Sequence, residues 1–145
     1  MAENKYNKLT VINSAGYKTK IHSGAHTIIA DEPLSSGGTD MGFNPYDLLL
    51  SALGSCKAIT IRMFAERRKY PLEDIVIELT HGKIYAEDCQ DCDSKEGRID
   101  NINVEIKLTG DLTSDQKNSI IDISKKCPVH KTLISEIRIN TTAID

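Results

Sequence analysis

Cys56, Cys89, Cys92, Cys127 and His130 are the residues of this 145-residue chain whose types and spacing can do chemistry. One chemistry is that of a reactive thiol, which needs the cysteine as its thiolate. The other chemistry is metallic. Cys89-x2-Cys92 and Cys127-x2-His130 are two pairs with zinc-ligand spacing, together enough donors for a closed tetrahedral site. Cys127 cannot serve both at once. The same residues also allow plainer readings: Cys56 as a buried packing residue, Cys89 and Cys92 as a local disulfide or as incidental members of a solvated loop, His130 as a hydrogen-bonded turn residue. Asp88, Asp91 and Asp93 disfavour thiolates at Cys89 and Cys92 unless a metal is present.

The elements that must position these groups start with the run from Asn44 to Lys69. Asn44 can accept from the first free backbone N–H groups, and Pro45 suits the first helical position. Arg67, Arg68 and Lys69 favour the negative end of the dipole, and Pro71 stops the helix. About 25 residues at a rise of about 1.5 Å give a rod of about 37 Å. Its circumference is apolar except for Asp47, Ser51, Ser55 and Arg62, so it calls for cover on nearly all sides, by a sheet and then by a second layer or a second subunit. Cys56 falls near its middle.

Before this helix, Lys8 to Ile12, Tyr17 to Ile21 and His26 to Ala30 read as a meander of antiparallel strands. Asp31 to Phe43 reads as a mobile loop; Gly37 and Gly42 have phosphate-loop spacing, but Phe43-Asn44 stands where that motif needs Lys and Ser or Thr. After the helix, Leu72 to His81 and Asn101 to Thr109 alternate as two paired strands around an acidic connection. Thr113 and Gln116 supply a capping box for a second helix ending near Lys126. Cys127 to Leu133 reads as a break and turn, and Glu136 to Thr142 as a last strand. The whole predicts one α+β domain over residues 1–145, an antiparallel sheet around a long, central, buried helix.

Bulk properties narrow the function classes. With 18 basic against 21 acidic side chains and net charge −3, there is no basic footprint for nucleic acid. The amino terminus lacks the apolar run of a signal peptide, and Asp47 and Lys57 interrupt the apolar helix, so a cytoplasmic protein without a membrane partner is expected. Cysteines in a reducing compartment are more often catalytic, metal-binding or free than a structural framework.

The run Gly37-Gly38-x3-Gly42-x-Asn44-Pro45-x2-Leu48-Leu49-Leu50-x-Ala52-x-Gly54-x-Cys56, followed about seventy residues later by Cys127-Pro128-Val129-His130-Lys131-Thr132-Leu133, resembles the OsmC/Ohr family of thiol peroxidases. It is most similar to the branch whose second motif is Cys-Pro-Val-His. The resemblance covers nearly the whole chain. It implies an intertwined α+β homodimer that reduces organic hydroperoxides in oxidative-stress defence, needs no bound cofactor, and is regenerated by a dithiol reductant. Cys56 matches the peroxidatic cysteine and Cys127 the resolving one. In that family an arginine from the amino-terminal strands and a glutamate directly after the Asn-Pro pair activate the thiol. Here Tyr46 follows Pro45, the carboxylate comes one later at Asp47, and no arginine precedes Arg62. Lys18 or Lys20 is the expected replacement, although a lysine lacks the planar fork of a guanidinium. The alternative is a non-catalytic binding protein of the same fold, with a zinc site at Cys89, Cys92, Cys127 and His130.

Overall fold

A computed structural model describes residues 8–145. The chain divides into two compact units, one ending at Leu49 and one running Leu50–Asp145, and the long helix α1 (Pro45–Arg68) belongs to both.

In the first unit, β1 (Thr10–Asn13), β2 (Thr19–Ser23) and β3 (His26–Ala30) form the expected antiparallel meander in the order β1-β2-β3. Gly24, at φ 58°, makes the tight β2–β3 turn that leaves Ser23 opposite His26, a conformation that costs a glycine nothing. The Asp31–Phe43 segment is tied down rather than free. The buried Asp31 carboxylate accepts from the backbone N–H of Glu32 (2.8 Å), Met41 (3.2 Å) and Thr39 (3.4 Å) and from the Thr39 hydroxyl. A parallel bridge between Ala30 and Phe43 closes its ends. These bonds hold the Asp31 carboxyl at about 2, well below its ordinary 3.8, the Thr39 hydroxyl contributing most.

The second unit is built on a long hairpin, β4 (Leu72–Tyr85) and β5 (Arg98–Gly110), paired from Leu72↔Gly110 to Tyr85↔Arg98. Both strands run past their predicted ends, so the acidic connection sits at the hairpin tip. Ile61 and Ala65 of α1, Leu72 of β4 and Ile120 of α2 (Ser114–Ser124) form the core, with Phe64, Ile77 and Ile106 packed against it. Thr113 caps α2 through the capping box read from the sequence, its hydroxyl accepting from Gln116 N (3.1 Å) while Gln116 Oε1 accepts from Thr113 N (3.0 Å).

The α+β class and the central helix stand, with three differences. The antiparallel strands make two sheets, of three and two strands, rather than one. Cys127 to Leu133 is a turn followed by helix, not a turn alone: α3 (Pro128–Leu133) has Pro128 at its first position, where a missing N–H costs nothing. Residues 136–142 are not a strand, because no strand edge among the described residues pairs with them.

The cover expected around α1 is also narrower within one chain. Its buried residues are Leu53, Gly54, Lys57, Ile61 and Ala65, which share one face at near-helical spacing. At Gly54 a Cβ would lie 2.8 Å from Leu79 Cδ1, so the glycine lets the helix close onto β4. Ile59 and Met63, on the opposite face, remain 60% and 56% exposed. A hairpin can cover one side of a helix and no more. By length and composition α1 is also apolar enough to cross a membrane, with mean hydropathy 1.4 over its most apolar window, yet Ile61 and Ala65 are built into the core.

Candidate active site

Three elements of the second unit deliver the reactive groups. Cys56 and Lys57 are consecutive on α1, Ser124 ends α2, and Cys127 and His130 open α3. Cys127 is the N-cap of α3, and its sulfur accepts from His130 N at 3.3 Å. Cys127 is buried and Cys56 half-buried, and both are free of disulfide. Burial pushes the Cys127 thiol up, against a smaller lowering by the His130 N–H, and the neighbouring Cys56 adds to the rise.

Lys57 is the residue that sequence reading missed. The residue is 3% exposed, and its ammonium donates to Ser124 O at 2.8 Å and lies 2.9 Å from His130 Nδ1. Ser124 O is one of the orphan carbonyls at the negative end of α2, where a cation is favoured. With Lys57 charged, His130 must present Nδ1 as the acceptor and carry its proton on Nε2. Burial and the neighbouring ammonium both hold the His130 ring below its ordinary range. Lys57 is itself pulled down by burial, while Cys127 and Cys56 push back up and Lys125 lowers it further. The signal was present in the sequence: a lysine in the middle of an apolar helix, next to Cys56, must have a partner. It was read only as an interruption.

Asp47 and Lys18 belong to the first unit. Asp47 closes a capping box at the start of α1, its N–H donating to Asn44 Oδ1 (2.8 Å) and its carboxylate accepting from Asn44 N (3.3 Å). Lys18 is exposed at the bend before β2, where its carbonyl accepts from Asn13 Nδ2 at 3.3 Å.

The four zinc ligands expected in the alternative do not gather. Cys89 and Cys92 are bonded to each other, with Cα atoms 5.5 Å apart. Among the described residues, the one group of three or more donors close enough for a metal is Cys89, Asp91 and Cys92, without Cys127 or His130. Spacing alone could not reveal this, since a strand and a helix separate the two pairs.

A family model described as OsmC-like protein matches residues 37–142, and the chain belongs to the OsmC family. It is 25% identical over 141 residues to a protein of Mycoplasma pneumoniae named hydroperoxide reductase, covering 95% of this chain and 94% of that one. Its fold is similar to the crystal structure of an OsmC-like protein from Mycoplasma pneumoniae, with a TM-score of 0.71, 23% identity and coverage of 90% and 88% of the two chains. It is likewise similar to the organic hydroperoxide resistance protein OhrB of Bacillus subtilis, with a TM-score of 0.59, 18% identity and coverage of 89% and 90%. These names point to peroxide-related stress chemistry.

Proposed function

We propose that the chain is a thiol-dependent peroxidase acting on organic hydroperoxides, with Cys56 peroxidatic and Cys127 resolving. The observation that carries this reading is that Lys57, the residue after Cys56 on α1, lies 2.9 Å from His130 Nδ1 while the Cys127 sulfur accepts from His130 N at 3.3 Å, so one charged cluster joins the segments that carry the two cysteines. The Cys56 thiolate attacks the distal oxygen of the hydroperoxide, the O–O bond breaks, and the sulfur becomes a sulfenic acid while the alkoxide leaves as an alcohol. Cys127 then attacks the sulfenic sulfur, forming the Cys56–Cys127 disulfide and releasing water. A dithiol reductant returns both thiols, so the cycle converts hydroperoxide and dithiol to alcohol, water and oxidised dithiol.

The half-exposure of Cys56 against full burial of Cys127 supports this order of roles, because the attacking thiol is the one a substrate can reach. The resolving step demands Cα atoms within about 7 Å. The test is consumption of cumene hydroperoxide with dihydrolipoamide as reductant. Activity in the wild type that disappears in Cys56→Ser supports the enzyme, and an inert, folded, fully reduced wild type leaves a binding protein of the same fold.

A further inference from the structure

Lys57 is a buried cation hydrogen-bonded to two neutral groups. Taking an ammonium out of water costs several kcal/mol unless it is paired and hydrogen-bonded. Its two hydrogen-bond partners, Ser124 O and His130 Nδ1, carry no negative charge. They engage two of its three donors, which leaves the third for another acceptor. The titratable or charged groups facing it are Cys127 and His130 from α3, Cys56 from α1 and Lys125 from the end of α2. Only the two cysteines can become anionic.

We propose that Lys57, fixed by Ser124 and His130, is the positioning cation that activates the thiol pair in this chain and holds the proton given up by Cys56. The proposal deepens the peroxidase reading and uses it for its consequence. The thiolate of Cys56, the ammonium of Lys57, the thiol of Cys127 and one hydroperoxide yield the disulfide, an alcohol, water and a neutral Lys57 amine. Charge and protons balance: the alcohol and the water take one proton from Lys57 and one from Cys127. Oxidation therefore removes the counter-ion and discharges the lysine together, so no uncompensated charge is left in the core. Reduction restores both.

The test reads thiol reactivity without peroxide. The rate of iodoacetamide modification at Cys56, followed by peptide mass mapping across pH, is compared for wild type, Lys57→Met and Lys57→Gln. Loss of the cation is expected to move the profile to higher pH by about one unit or more and to lower the rate at neutral pH about tenfold. Profiles that superimpose on wild type in folded variants would overturn the proposal. Should the variants not fold, the Lys57 amine is titrated by nitrogen NMR in the intact protein, reduced or oxidised with diamide. Discharge at a pH lower by about one unit or more in the oxidised form supports it, and identical titrations overturn it. A shifted alkylation profile in a protein that consumes no hydroperoxide upholds Lys57 and sinks the peroxidase reading alone.

Discussion

At the scale of single residues, Cys127 is held as a thiol by burial while Cys56 is reachable, so removing each should have different consequences. In Cys127→Ser the first equivalent of hydroperoxide should still be consumed. The sulfenic acid at Cys56 should then persist long enough for dimedone capture and pass to the sulfinic acid with further peroxide, both read by intact mass. Trapping-free, unmodified Cys56 in this variant would place the attack elsewhere. Asp31 gives a pH prediction. Its folded value of about 2 lies below the ordinary 3.8, so its contribution to stability is fully present above about 4 and is lost as pH falls toward 2. Thermal melts should show this loss in wild type and not in Asp31→Asn, which should be less stable than wild type at neutral pH. The two candidate cysteines were named from motifs along the chain, Gly54-x-Cys56 and Cys127-Pro128-Val129-His130. Lys57 was not, because its partners Ser124 and His130 come from two other helices that only tertiary folding brings to it.

Among elements, those with local chemical punctuation were readable and those defined by a neighbour were not. Pro45 and Pro71 bracket α1, and the Thr113–Gln116 box starts α2 where expected. Thr113→Ala should cost about 1 kcal/mol in chemical denaturation, while Gln116→Glu, which keeps the box, should cost far less. Ile120→Ala, in the fully buried centre of the second unit, should cost about 2–5 kcal/mol, with no change in iodoacetamide reactivity at Cys56 in the folded fraction. Residues 136–142 have the alternation of a strand, but alternation cannot supply a partner edge. Asp47 forms a capping box with Asn44. Asp47→Ala should therefore lower stability by about 1 kcal/mol and leave the alkylation profile of Cys56 in place.

For the molecule as a whole, we propose a homodimer, supported by the apolar surface that one chain leaves open. Ile59 and Met63 on α1, and Ile137 and Ile139 further along the sequence, are exposed in a single chain, apolar area that a second copy would cover. Sedimentation velocity at micromolar concentration should give a species of twice the 16.0 kDa chain mass, and a folded monomer would refute it. The central claim, that Cys56 and Cys127 form the redox pair, is tested most directly by adding one equivalent of cumene hydroperoxide to fully reduced protein and mapping the disulfides by mass spectrometry. A Cys56–Cys127 peptide formed in step with peroxide loss is the predicted result. A Cys89–Cys92 link alone, with Cys56 recovered as a free thiol, would contradict the account and move the chemistry to the hairpin tip.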